Sequence, residues 1–399
     1  MAHNSILIVA GERSGDVYGA ELARALRARL GAVEVFGCGG DAMRQAGVET
    51  TLDAHAISMA GIVEVVAGLP RVYRAFHSLL HEVDRRRPQL AVLIDFPDFN
   101  LRLARKLKQR GIPVIYFVSP QVWAWRKGRL KDMKATVSKM LCIFDFEEAI
   151  YRETGIPVEY VGHPLVDLVR PQMTRQEFFA KASLDPAIST VALLPGSRQK
   201  EVGHNLPPLL DAATRLAAER PIQFVLPVAP SLDPAWIAAL IQKSAAGRAT
   251  IRPLADAAHD ALRHADVAVV ASGTATLEAA LQERPMVVVY RVSRLSWLVG
   301  KLLVDVPHYS IVNLLAGKRL VTELMQSNFT GPQVAAQVQY LLDHPEARAT
   351  MVDELRQLRA RLGSGGAIGR AADAVVSLCR ERGTPASRGR SAGVVPGEG

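Results

Sequence analysis

The sequence predicts an α/β protein built from two parallel sheets, each covered by helices on both faces, that turn towards a shared cleft. Three observations carry that expectation. Short apolar runs bounded by glycine, proline or polar residues recur along the chain. Segments of helical period lie between them, the signature of parallel strands joined by crossover helices. The alternation stops once, over 162–186, and then restarts, so there are two units of similar size.

In the first unit the strands are read at 5–10 (SILIVA), 33–36, 88–94 (PQLAVLI), 113–118 (PVIYFV), 140–144 and 158–161, with helices over 21–30 and 101–109. In the second they are read at 190–194 (TVALL), 222–228 (IQFVLPV), 265–271 (ADVAVVA) and 286–290 (MVVVY), with a helix over 277–282. The expected domains are 1–165 and 187–335. A linker over 166–186 joins them, helices over 336–380 pack back across both, and a Gly/Pro/Ser/Arg-rich tail over 381–399 is expected to be disordered.

Composition narrows the function classes. Hydrophobic residues make up 49% of the 399, enough to bury sizeable cores, so the chain is not disordered overall. A net charge of +9 suits a phosphorylated partner or an anionic membrane face. The three cysteines, Cys38, Cys142 and Cys379, form no CxxC pair, and no Cys/His group has zinc spacing, which fits buried thiols in a reducing compartment. Residues 1–12 lack a signal-peptide pattern, and no run approaches the roughly 18 apolar residues of a spanning helix. The expectation is a cytoplasmic protein, soluble or peripheral on a membrane.

Ligands of open α/β sheets sit beyond the carboxyl ends of the strands. Asp95 directly follows the 88–94 strand, where a carboxylate can act as a general base; Asp98 and Asn100 read more as turn or cap residues. Gly196-Ser197-Arg198 offers backbone N–H groups and a guanidinium to a phosphate. Ser272-Gly273-Thr274 opens a helix after a buried strand, a second anion-type turn, unless a hydroxyl there merely caps the helix. Glu278 shares a helix face with Thr274 and suits a sugar diol better than a phosphate. Gly37–Ala42 matches GxGxxA, but without the acidic residue of a dinucleotide site.

Val65, Val66, Leu69, Val72 and Phe76 recur at helical spacing, with Arg71, Arg74, His77 and His81 between them. Such a helix either packs its apolar stripe on the sheet or dips it into an anionic membrane. Pro70 reads as the helix start. The Trp123–Arg129 stretch interleaves aromatic and basic residues, but with 6% aromatics and no RNA-binding signature, nucleic acid is not an expected partner.

Taken in order, AGERSGD (10–16), MAGIVEVV (59–66), DFPDFN (95–100), VSPQVWAWR (118–126), VGHPL (161–165), LLPGSR (193–198), ASGTATLEAAL (271–281), PMVVVYR (285–291) and NLLAGKRLVTELMQ (313–326) resemble the lipid-A-disaccharide synthase family. The resemblance spans roughly 5–380. It implies a glycosyltransferase of the GT-B type, two Rossmann-like domains facing a cleft. It implies that UDP-2,3-diacylglucosamine and 2,3-diacylglucosamine 1-phosphate are the substrates, with no metal or other cofactor. Asp95 then matches the candidate base. Glu12, Ser14, Gly15, Asp98, Ser119, Gln121 and Trp123 fall on the substrate side. Gly196, Ser197, Arg198, Ser272, Gly273, Thr274, Glu278, Asn313 and Gln326 fall on the nucleotide side. Two lipid substrates add weight to a membrane-facing 65–76 helix on the cytoplasmic face of the inner membrane. Phe96 and Val312 depart from the family pattern, which has alanine and proline there. A GT-B-like UDP-N-acetylglucosamine epimerase is the alternative reading; it shares the UDP half but has no use for a membrane face. A non-catalytic lipid-binding protein would have no use for Asp95. A homodimer is left open.

Overall fold

The computed structural model describes residues 5–54, 62–120, 129–244, 249–292 and 308–383. The first half runs β1 (Ser5–Ala10), α1 (Arg13–Leu30), β2 (Glu34–Gly39), α2 (Asp41–Gln45), β3 (Glu49–Asp53), α3 (Ile62–Arg86), β4 (Leu90–Ile94), α4 (Pro97–Gln109), β5 (Val114–Phe117), α5 (Arg129–Thr136), β6 (Lys139–Cys142), α6 (Asp145–Thr154) and β7 (Val158–Tyr160). After α7 (Leu165–Leu168) and α8 (Arg175–Ala182) the second half runs β8 (Thr190–Leu194), α9 (Gln199–Glu219), β9 (Gln223–Val228), α10 (Pro234–Lys243), β10 (Thr250–Ala255), α11 (Ala258–His264), β11 (Val267–Ala271), α12 (Thr274–Leu281), β12 (Met286–Tyr290), α13 (Ile311–Ala316) and β13 (Thr322–Met325). Then come α14 (Gly331–Asp343), α15 (Pro345–Arg361) and α16 (Ala367–Gly383).

The two sheets repeat one topology. The first is ordered β3-β2-β1-β4-β5-β6-β7 and the second β10-β9-β8-β11-β12-β13, with neighbouring strands parallel. In each sheet the strand order reverses between the first and fourth strands, at β1/β4 and at β8/β11. A crevice opens at such a switch point, because the crossover helices leave it on opposite faces. The loops after β1, β4, β8 and β11 are therefore the four that the fold places at the two crevices.

The central strands are buried along their whole length, as apolar runs covered by helices on both sides must be. The three strands that lack a clear apolar run are β3, β10 and β13, and all three lie at sheet edges. Helix α3 begins at Ile62, so Pro70 lies inside it and does not start it. The stripe formed by Ala75, Leu79, Leu80 and Val83 is buried against the first sheet, and that packing outweighs the one backbone bond a proline removes.

The 166–186 stretch is more structured than a linker. Asp260 accepts the backbone N–H groups of Gln172 and Met173 at 2.8 and 2.7 Å, and Phe178 and Phe179 of α8 are buried. Thr174 and Glu177 form a capping box that starts α8. Residues 172–182 therefore pack with elements that follow them in the chain.

The last helix returns to the first domain. Ala371, Ala372 and Val375 of α16 share a buried cluster with Leu22 and Leu26 of α1, and Arg29 Nε lies 2.6 Å from Asp373. The chain thus passes between the domains at 161–171 and again near Leu362–Ala367. The two crossings are tied together: His163 N–H donates to Leu362 O at 2.9 Å, Arg370 donates to Val161 O, and Asp167 accepts from Gly366 and Ala367 at the start of α16.

Candidate active site

Asp95 sits at the end of β4 in a turn of two successive left-handed residues, Asp95 at φ 46° and Phe96 at φ 49°. Val118, after the neighbouring β5, is also left-handed at φ 64°. Positive φ is uncommon for non-glycine residues and a marked outlier for a β-branched one, so this corner stores backbone strain. It is held by hydrogen bonds: Asp95 N–H to Phe117 O at 3.0 Å, Tyr116 Oη to Asp95 O at 2.6 Å, and Asn100 Nδ2 to Asp95 O at 2.8 Å and to Ile94 O at 3.2 Å. Asn100 thus ties the turn from within α4 and does not cap it; the cap position belongs to Phe96. Burial pushes the Asp95 carboxyl up to about 7, and the Glu12 carboxylate adds to the rise, against the Phe96 N–H. A carboxyl poised there can take a proton near neutral pH.

A cavity of about 240 Å³ opens beside Asp95, lined from the first domain by Ser14, Tyr18, Pro97, Val118, Ser119, Pro120, Ile143, Phe144 and the interdomain residue His163, and from the second by Thr274, Leu277 and Ile311. The candidate base and the start of α12 therefore face one space between the domains. His163 is buried, which lowers its imidazole to about 3, and its Nδ1 accepts the Leu165 N–H at 3.1 Å, so the neutral ring carries its proton on Nε2. Tyr18, His163 and Tyr116 were not singled out in the sequence. His163 had a signal available, since it follows the 158–161 strand as the other site residues follow theirs.

On the opposite wall, α12 starts at Thr274 with Gly273 (φ 148°) as its N-cap and no side-chain cap. Ser272 Oγ donates instead to Tyr309 O at 3.2 Å, and Thr276 Oγ1 to Gly273 O at 2.7 Å. The Ser272 hydroxyl therefore does not cap α12. The Gly196–Arg198 turn differs from expectation in another way. Glu201, at the third position of α9, accepts the Ser197 N–H at 3.3 Å and lies against Gly196, where an added Cβ would fall 2.3 Å from its Cδ. The Ser197 amide is thus taken by the chain's own carboxylate, and the half-exposed Arg198 guanidinium is the group of this turn better placed to meet an anion. Glu278 lies one turn into α12, 3.8 Å from His259 Nε2. Burial raises its carboxyl, while His259 and Arg13 pull it back.

Several predicted contacts are structural. Asn313 is fully buried and saturated: Nδ2 donates to Val321 O and Glu323 Oε1, and Oδ1 accepts from Leu320 and Val321 N–H. It folds the 310–321 loop and presents no polar atom to the cleft. The Gln326 amide, in the orientation that satisfies both its ends, pairs with the Val292 N–H and C=O at 3.1 and 3.2 Å. Gly15 is buried in α1, with room for a Cβ only 3.3 Å from Ala10 Cβ, so it serves close packing of helix on strand. Asp98 is exposed in the first turn of α4, where a negative charge suits the helix dipole. Gln121 and Trp123 lie outside the described residues.

Two residues of the expected membrane-facing stripe turn inward instead. Val72 and Phe76 pack against the first domain's core, Phe76 with its ring edge-on to Phe99 at 5.4 Å. Burial of apolar area against the sheet is the stronger draw. The outward face of α3 includes Arg71, Tyr73, Arg74, His77 and His81, with Ser78, Asp84 and Arg85 also exposed and Tyr73 65% exposed. The side chains of Val65, Val66 and Leu69 lie outside the described residues. Among the described residues no helix is long and apolar enough to cross a membrane. The GxGxxA turn is closed to ligands as well: Asp16 of α1 accepts the N–H groups of Gly40, Ala42 and Met43 at 2.6, 3.0 and 3.1 Å.

A family model described as lipid-A-disaccharide synthetase matches residues 6–367. The chain belongs to the lipid-A-disaccharide synthase family. It is 47% identical over 384 residues to a lipid-A-disaccharide synthase of Koribacter versatilis, covering 94% of this chain and 99% of that one. It is 44% identical over 374 residues to one of Solibacter usitatus, covering 94% and 97%. Membership makes it an enzyme of glycosyl transfer in lipid A synthesis. The fold agrees. A UDP-GlcNAc 2-epimerase of Neisseria meningitidis bound to UDP-GlcNAc superposes with a TM-score of 0.62 at 12% identity, over 94% of this chain and all of that one. The calicheamicin glycosyltransferase superposes at 0.59 and 17% identity, over 95% and 98%. Both likenesses speak to the GT-B architecture alone.

Proposed function

We propose that the protein is an inverting hexosyltransferase, independent of metal, that joins UDP-2,3-diacylglucosamine to 2,3-diacylglucosamine 1-phosphate (lipid X). The products are the β-1,6-linked disaccharide 1-phosphate and UDP. The observation that carries this reading is the shared cavity, with Asp95 on one wall and the uncapped start of α12 on the other.

In this reading Asp95 removes the proton of the acceptor 6-hydroxyl as its oxygen attacks the anomeric carbon. The carbon–oxygen bond to UDP breaks on the opposite face, so an α-linked donor becomes a β-linked product. Charge grows on the diphosphate as UDP leaves. Arg198 and the N-terminal amides of α12 meet that charge in a site partly closed to water, where fixed donors count for most. Glu278 takes the ribose hydroxyls. The basic outer face of α3 holds the enzyme on the anionic cytoplasmic surface of the inner membrane, from which both lipids come. The test is purified protein with both lipids, with and without a chelator, and with the donor alone. The expected result is disaccharide and UDP in equal amounts, unaffected by chelation. Conversion of the donor sugar without acceptor would instead indicate an epimerase.

A further inference from the structure

Two neighbouring residues of the first domain, Glu12 and Arg13, carry opposite charges, and each meets its counter-charge in the second domain. Glu12 Oε2 lies 3.7 Å from Arg198 Nη2. Arg13 is near enough to Glu278 for its positive charge to favour the Glu278 carboxylate. Arg198 and Glu278 are the two charged side chains on which the proposed donor site relies. Arg198 is paired with Glu12, in the loop between β1 and α1, and Glu278 feels the charge of Arg13 at the start of α1.

That loop also abuts the candidate base. A Cβ on Gly11 would fall 2.3 Å from the Phe96 ring, so Gly11 packs directly on the Asp95 turn. Glu12 is near enough to Asp95 for its charge to contribute to the rise of that carboxyl. One carboxylate is thus 3.7 Å from Arg198 and within electrostatic reach of Asp95.

We propose that Glu12 is a positioning residue that holds Arg198 until the donor diphosphate takes it, and is then released to accept a hydroxyl of the acceptor sugar, so that donor binds before acceptor. The inference rests on the reading of Arg198 as a diphosphate ligand. The pair is suited to exchange. Its side chains are 51% and 46% exposed, and an ion pair that open contributes little and breaks easily. A diphosphate offers the guanidinium more charge and a bidentate match. Once freed, Glu12 is an acceptor-only carboxylate beside Asp95, suited to a sugar hydroxyl and repelled by the donor's phosphates.

The test titrates UDP into the wild-type protein and Glu12→Gln. It then titrates 2,3-diacylglucosamine 1-phosphate in detergent micelles with and without saturating UDP. Removing the competing carboxylate is expected to tighten UDP about two- to fivefold, the range set by an exposed ion pair. In the wild type, UDP is expected to tighten the acceptor, and Glu12→Gln is expected to lose that coupling. A purely structural Glu12 would not tighten UDP on substitution. Unchanged or weaker UDP binding by Glu12→Gln, or a wild-type acceptor affinity indifferent to UDP, overturns the inference. A wild type that does not bind UDP, or Arg198→Ala that binds it undiminished, overturns the donor-site reading instead.

Discussion

The Tyr116 hydroxyl donates to the main-chain carbonyl of Asp95 at 2.6 Å. This bond reaches from the neighbouring strand to a residue at φ 46° and helps hold it there. Tyr116→Phe is therefore expected to loosen the base with little change in substrate binding. We expect kcat to fall about tenfold, as small misplacements of a reacting group do, with KM unchanged. Stability should fall by about 1 kcal/mol for the lost hydrogen bond. Steady-state kinetics and denaturant unfolding check both.

Asp95→Asn should reduce kcat by about 10²- to 10⁴-fold and leave UDP affinity intact, because the base lies on the other wall from the nucleotide. The wild-type rate should rise with pH through about 7, the value to which burial and Glu12 bring the carboxyl, since only the ionised form takes a proton. The stability effect has the opposite sign. The folded protein holds this proton up to about pH 7 while the unfolded chain releases it near the usual carboxylate value. Asp95 thus lowers stability as pH rises through that window. Asp95→Asn should abolish this dependence and melt no lower than the wild type at pH 8. A variant with a near-normal rate would remove Asp95 from the role of base.

Gly196→Ala tests the second-domain turn. Gly196 has φ 123°, and a Cβ there would meet the Glu201 carboxylate at 2.4 Å. The substitution should cost about 1–3 kcal/mol in thermal unfolding through backbone strain. It should also weaken UDP by displacing the turn that carries Arg198. Undisturbed UDP affinity alongside lowered stability would separate the turn from the donor site.

The two faces of α3 should separate cleanly. Phe76→Ala should destabilise the protein by about 2 kcal/mol, because this ring packs on Phe99 and the core. The double variant Arg71→Glu/Arg74→Glu should leave stability within about 0.5 kcal/mol. It should weaken binding to anionic vesicles by at least about tenfold, from about 1 kcal/mol for each basic charge near such a surface. Vesicle sedimentation and thermal unfolding, run on both variants, check the division.

The core of each sheet was legible because burial on both faces writes an uninterrupted apolar run. β1, β8 and β12 match their runs end to end. β3, β10 and β13 escaped because an edge strand is half exposed; in β10 only Ile251 and Leu254 are buried. Asp95 was legible from its place after a buried strand. The Tyr116 bond, the Glu12–Arg198 approach and the filling of the Gly40 turn by Asp16 join residues distant in sequence, and no local pattern marks them. Helical spacing showed that Val72 and Phe76 share a face, but spacing does not say what that face meets. For Asn313, a polar residue in a family motif was read as a ligand contact, when a buried amide able to make four bonds was needed to close a loop.

The return of α16 to α1 makes spatial order and synthetic order disagree. Arg29 and Asp373 meet although 344 positions separate them in the chain. As the ribosome extends the protein, the second domain can assemble soon after its strands emerge, whereas the first keeps part of its α1 surface uncovered until α16 arrives. The residues of α1, made long before α16, are thus fully sheltered only when α16 emerges, and until then the nascent first domain exposes apolar surface open to aggregation.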